Sequence, residues 1–135
     1  MSEGSVLQTA ALAMRHYRAG WATGGWKPFI ELLAPSFEQR VPIGELRGRV
    51  SKRDEAVHHL QALRLSGLRL ELGEPFRVCA GDRTATFELE VSGSLYDLPY
   101  HNRIVISLDV EGGLVTAMRE YFGELDPEIL ARALK

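Results

Sequence analysis

The chain has 135 residues, 45% hydrophobic and 25% charged, the make-up of one ordinary folded domain spanning 1–135 rather than of a disordered or fibrous polymer. Sixteen Lys+Arg against eighteen Asp+Glu leave a net charge of −2, so the sequence offers no basic field for nucleic acid or for an anionic membrane. Cys79 stands alone and excludes an internal disulfide; the first residues lack a basic-then-apolar leader, and no apolar run nears the ~20 residues of a bilayer span, so a soluble cytoplasmic protein is expected.

From Ser5, the positions Val6, Ala10, Ala13, Met14, Tyr17 and Trp21 recur at three- and four-residue steps, with Ser5 and Gln8 spaced as a capping pair. This predicts a first helix ending at Thr23-Gly24-Gly25. A short second helix over Trp26 to Leu33 follows, tolerating Pro28 in its first turn and closed by Ala34-Pro35. Phe37 to Val41 alternates up to Pro42 and reads as a short edge strand, and Ile43 to Arg49 as irregular. Ser51 to Leu63 reads as a third helix with Ser51 and Asp54 at capping-box spacing and Val57, Leu60 and Leu63 as its buried stripe.

A meander comes next. Leu68, Leu70 and Leu72 alternate with Arg69 and Glu71, a break falls at Gly73-Glu74-Pro75, and Phe76 to Cys79 continues the strand. Thr84 to Ser92 places Ala85, Phe87, Leu89 and Val91 on one face. A loop over Gly93 to Pro99 leads to a long strand, Tyr100 to Val110, and Glu111-Gly112-Gly113 turns the chain into a last strand, Leu114 to Phe122. Asp126 as N-cap, Pro127 at the first helical position and the apolar set Ile129, Leu130 and Leu134 predict a terminal helix. Helices first and a meander second give an α+β domain, a cone-shaped, curved antiparallel sheet of four to six strands wrapped on the N-terminal helices.

Six segments carry a family likeness. Tyr100-His101-Asn102-Arg103-Ile104-Val105, then Glu111-Gly112-Gly113, then Met118-Arg119-Glu120-Tyr121-Phe122 resemble the closing hairpin of SnoaL-like proteins, a branch of the nuclear transport factor 2-like (ketosteroid isomerase-like) superfamily. Gly24-Gly25-Trp26, Leu32-Leu33-Ala34-Pro35 and Pro42-Ile43-Gly44 resemble the same family, so the likeness spans nearly the whole chain. It implies a cystatin-like α+β barrel around an apolar pocket with a few polar groups. It leaves the activity open, because the superfamily includes ketosteroid isomerases, limonene-epoxide hydrolases, polyketide cyclases, scytalone dehydratases and non-catalytic binders.

Position by position, the resemblance sets Tyr17 where the isomerase tyrosine stands. The proton-shuttling aspartate falls on Val41 and the oxyanion-binding aspartic acid near Ile106, which disfavours ketosteroid isomerisation. Asp97 and Asp109 are poorly placed for the aspartate-flanked arginine of epoxide hydrolysis.

Strand parity then assigns faces. With Ile106 inward, Tyr100, Asn102, Ile104 and Leu108 face the cavity, joined by Met118, Glu120 and Phe122 from the last strand, Phe37, Gln39 and Val41 from the first, and Phe87. Glu120 is the single carboxylate in this apolar set, with Tyr17, Tyr100, Asn102 and Gln39 as hydrogen-bond partners. It is either a ligand-facing acid–base group or the centre of a structural polar network. Tyr17 and Trp21 lie on the apolar stripe of the first helix, where aromatic residues also serve as plain core. His58 and His59 point about 100° apart and cannot share a metal as an i, i+4 pair could, so no metal or cofactor is expected.

The functional expectation is a pocket protein for a small, largely apolar ligand, with no nucleic-acid or membrane partner. Its alternatives are a cofactor-free isomerase, cyclase or dehydratase using Glu120 and Tyr17, and a dimerising domain without ligand. The face away from the cavity, carrying His101, Arg103, Val105, Ser107, Val115, Ala117, Arg119 and Tyr121, is expected to pair two copies. Arg103 and Arg119 would then meet Glu88 or Glu90 of the second copy.

Overall fold

A computed structural model describes residues 3–42, 44, 46–63, 68–95, 97–124 and 126–133. Helix α1 (Glu3–Thr23) buries Val6, Ala10, Ala13, Met14 and Tyr17, the stripe read from the sequence, but begins before the expected Ser5–Gln8 cap. It stops where Gly24 turns to φ 80° and donates to the Gly20 carbonyl. Gly20 is itself a packing requirement, because a Cβ there would stand 2.3 Å from the Trp26 ring. That ring closes an aromatic cluster with Tyr17, Trp21 and Phe29, at centroid separations of 5.5, 5.8 and 6.3 Å.

Helix α2 (Lys27–Ile30) is shorter than expected. Leu33 already belongs to strand β1 (Leu33–Arg40), where it pairs with Val115 and leaves Pro35 exposed at an irregularity between Leu33 and Glu38. Sheet pairing overrides the helical reading of the Leu32-Leu33 pair. Strand β2 (Ser51–Lys52) pairs antiparallel with β1 and forms the edge, so β1 is not the edge strand expected. Ser51 therefore lies in the sheet, and helix α3 (Arg53–Ala62) starts without a side-chain cap while burying Ala56 and Leu60.

Strands β3 (Arg69–Leu72) and β4 (Arg77–Ala80) pair in succession with one edge of β5 (Thr84–Leu95). Gly93 is required here: it has φ 138°, and a Cβ would lie 1.9 Å from the Arg69 carbonyl oxygen. Strand β6 (Leu98–Glu111) begins at once, so the expected loop from Gly93 to Pro99 shrinks to a tight turn with Asp97 at φ 64°. Gly112 and Gly113, at φ 61° and 78°, turn the chain into β7 (Leu114–Phe122).

Among the described residues the sheet has seven strands, in the order β2-β1-β7-β6-β5-β3 with β4 also on β5, rather than four to six. It is mixed rather than wholly antiparallel, because β7 returns alongside β1 in the same direction. The path does not close on itself. Helix α1 touches β3, β4, β5, β6 and β7, so the sheet curves around it and buries Ala85, Phe87, Leu89, Ile106, Leu108 and Met118 on its concave side.

Strand parity holds along β6 but not throughout β7. A register shift sets Asp109 opposite Ala117 and Val110 opposite Val115, leaving Thr116 as an extra residue. Side chains before the bulge are flipped relative to those after it, so Val115 is fully buried in the core instead of on the outer face.

Helix α4 (Pro127–Ala133) is capped as read, Asp126 Oδ1 accepting from the Glu128 N–H at 2.9 Å, and it buries Ile129. The expected apolar position Leu134 lies outside the described residues. Among those residues no helix is long and apolar enough to cross a membrane.

Candidate functional site

Where α1 no longer fills the concave face, the structure leaves a partly open cavity of about 100 Å³ between α1, α3 and the sheet. It brings together eight of the residues expected there: Tyr17, Trp21, Gln39, Val41, Tyr100, Ile104, Glu120 and Phe122. Phe37, Phe87, Ile106 and Met118 also face inward, yet they are fully enclosed in the core and do not border the cavity.

Asn102 has a different position again. Its Nδ2 donates to the Tyr100 hydroxyl at 3.0 Å and to the Glu124 carbonyl, while its Oδ1 accepts from the N–H groups of Arg103 and Glu124 at 2.8 and 2.9 Å. The amide is committed to holding the chain that leaves β7. One consequence reaches the cavity: Tyr100, having accepted from Asn102, keeps its own O–H free to donate.

Sequence parity missed several lining residues. Leu60 comes from α3, Leu70 and Leu72 from β3, and Val91 and Leu95 from β5. Their apolar spacing was visible, but which part of an inward face meets a void and which meets a helix depends on where α1 ends. His59 borders the cavity as well, whereas its neighbour His58 is exposed.

Among the described residues that line the cavity, Glu120 is the single carboxylate. It is partly buried and lines the cavity from β7. Burial pushes its carboxyl up to about 7, with the Tyr17 hydroxyl, hydrogen-bonded to the anion, holding it back from rising further. Burial also drives the Tyr17 hydroxyl far above the ordinary tyrosine value, the Glu120 charge adds to this, and Trp21 opposes it through a side-chain hydrogen bond. Tyr17 is therefore a permanent donor. The Tyr100 hydroxyl is raised chiefly by burial, with the Glu120 charge contributing. The arrangement sets a carboxyl raised towards neutral pH between two phenols that keep their protons, with the His59 imidazole also on the cavity wall.

The opposite face of the sheet has its own polar network. Arg119 holds Asp109 at 2.8 and 2.9 Å, Thr84 donates to the same carboxylate at 2.7 Å, and Arg119 keeps Asp109 below the usual carboxylate range. Arg77 pairs with Glu88 at 2.8 Å and Arg103 lies 3.5 Å from Glu90. The charges expected to bridge two copies thus have partners within one chain.

A curved, unclosed α+β sheet wrapped on an N-terminal helix defines a class of small domains. The model of the SnoaL-like domain matches residues 14–118, and the chain belongs to that family. Its solved neighbours share the nuclear transport factor 2-like fold. One such protein from Anabaena variabilis is 28% identical with a TM-score of 0.82, over 93% of this chain and 94% of the neighbour. A candidate SnoaL-like polyketide cyclase from Jannaschia is 18% identical with a TM-score of 0.71, over 97% and 92%. A candidate ketosteroid isomerase from Kribbella flavida is 24% identical with a TM-score of 0.64, over 90% and 82%. At these identities the last two bear on the fold alone. Among proteins with curated descriptions, none matches the sequence.

Proposed function

We propose that this protein binds a small, largely apolar molecule in the cavity and that Glu120 is the group that meets its polar end. The observation that carries this reading is the placement of one carboxyl, raised to about 7, on a wall otherwise made mainly of aliphatic and aromatic side chains. A carboxyl is costly there if the cavity is only a packing defect, since an aliphatic residue would fill it at lower cost. The small volume favours a ligand of ring size over a fused polycycle.

A catalytic version of the same reading has specific support. A carboxyl that is half ionised near pH 7 can both take and return a proton, and the Tyr17 and Tyr100 hydroxyls can donate to an oxygen that gains charge as the proton leaves carbon. That is the chemistry of isomerisation, aldol cyclisation or dehydration without a cofactor.

Native mass spectrometry of the protein as isolated from cells tests the binding reading, with Leu70→Trp to fill the cavity. The expected result is a small-molecule adduct on the wild type that is lost in Leu70→Trp. An adduct retained by a folded Leu70→Trp variant would place the ligand elsewhere.

A further inference from the structure

Two buried polar atoms on adjacent strands have no hydrogen-bond partner of normal geometry: Gln39 Oε1, whose side chain borders the cavity, and Ser51 Oγ, which lies just behind it and near enough to Glu55 to help lower that carboxyl. They are neighbours: Gln39 on β1 is directly opposite Ser51 on β2, so both side chains project from the same face, with Cβ atoms roughly 5 Å apart. Gln39 is 3% exposed and Ser51 1%, so bulk water does not compensate either group. Leaving two such atoms unpaired side by side costs the fold free energy, and a Leu–Ala pair of similar shape would avoid that cost.

Gln39 also borders the cavity. Its terminal amide turns about a soft sp³–sp² torsion, which can bring Oε1 to the space its side chain already lines. On the other side of β1, Gln39 is paired with Met118, and Glu120 follows two residues along β7 on the same face. Ser51, Gln39 and Glu120 therefore occupy adjacent places on three adjacent strands.

We propose that Gln39 and Ser51 form a subsite for a hydroxyl group of the ligand, separate from the contact with Glu120. The inference rests on the reading that the cavity takes a small molecule. A hydroxyl is the smallest organic group that satisfies both orphans at once, donating to Gln39 Oε1 and accepting from the Ser51 O–H. A carbonyl answers Ser51 and leaves the Gln39 acceptor unpaired. An aliphatic group answers neither. The ligand class is thus a small apolar alcohol or phenol whose hydroxyl docks at the β1–β2 end while its body lies along the leucines towards Glu120.

Phenol and toluene, equal in shape and differing in the hydroxyl, are the probes, titrated by ligand-observed NMR against the wild type, Gln39→Leu, Ser51→Ala and Glu120→Gln. The wild type should prefer phenol by about tenfold or more, the worth of one net hydrogen bond. Gln39→Leu should bring the two affinities to within about twofold and raise the melting temperature, since the buried acceptor is gone. Ser51→Ala, the smaller change, should lower the preference from the opposite strand. A higher melting temperature with an unchanged preference means the orphans are met by water only and overturns the subsite while leaving the pocket reading intact. A preference that survives Gln39→Leu but vanishes in Glu120→Gln assigns the hydroxyl to Glu120 and overturns it too. If the wild type binds neither probe at millimolar concentration, the pocket reading fails and the subsite fails with it.

Discussion

Replacing Glu120 by Gln keeps the shape of the side chain and removes its proton chemistry, and the consequence for stability depends on pH in a direction the cavity dictates. Glu120 ionises near 4.5 in an unsheltered setting and near 7 in the folded protein. Below about pH 4.5 both folded and unfolded chains hold the proton, and the substitution changes little. Between 4.5 and 7 the unfolded chain releases a proton that the folded chain keeps, so wild-type stability falls as pH rises, and above 7 the loss is complete. The full shift corresponds to about 3 kcal/mol, and water reaching the carboxyl through the cavity lowers the expectation to about 2 kcal/mol. Urea unfolding followed by the fluorescence of Trp21 and Trp26, at fixed protein concentration, measures it. Glu120→Gln should be more stable than the wild type by about 2 kcal/mol at pH 8.5, with the gap closing to within about 0.5 kcal/mol at pH 4.5. Titrations common to both proteins cancel in the difference. A gap that stays constant across this range would refute the claim that the carboxyl titrates inside the cavity.

Asn102→Ala should cost about 2–4 kcal/mol, because four hydrogen bonds end at that amide and the Glu124 N–H and C=O lose their partner; faster amide exchange at Glu124 is the accompanying sign. Gly20→Ala should lower stability by about 1–3 kcal/mol, seen as a reduced urea midpoint with changed tryptophan emission, since the new methyl displaces the Trp26 ring. Tyr121 is 52% exposed beside partly buried Val105 and Ala117 on the outer sheet face, and we propose that two copies pair there. Light scattering should give a mass near twice 15.1 kDa for the wild type and near 15.1 kDa for Tyr121→Glu with Val105→Asp.

Much of the fold was legible because its signals are local. The stripe on α1, the alternation of β5 and β6, the Gly112-Gly113 turn and the Asp126 cap each occupy a few consecutive residues whose periodicity or turn chemistry has one physical reading. What escaped is non-local. Nothing in Leu33 to Arg40 announces that this strand will lie parallel to the last one, and the helical reading of Leu32-Leu33 fails because its competitor, Val115, is some eighty residues away. The Thr116 bulge is similar: the run Leu114 to Phe122 alternates acceptably in either register, and only pairing with β6 decides which side chains flip.

The site shows the same division. Parity placed Glu120, Gln39 and Tyr100 on the inner face, while helical spacing put Tyr17 on the apolar stripe and the family resemblance alone singled it out for the site. Parity could not separate Glu120, which borders the void, from Met118, two residues earlier on the same strand and sealed in the core. Nor could it show that Asn102, two residues from Tyr100 on the same face, spends its amide on the backbone of Glu124. Burial depth is set by where α1 runs out, a property of the packed molecule rather than of any segment.

The central claim is that Glu120 is an ionisable group facing a space that a ligand can occupy, and following its side-chain carboxyl carbon by NMR across a pH titration, with and without saturating phenol, tests it most directly. The account predicts a midpoint near 7 in the free protein, displaced when phenol fills the cavity. A midpoint near 4.5 that does not move when phenol is added would contradict it.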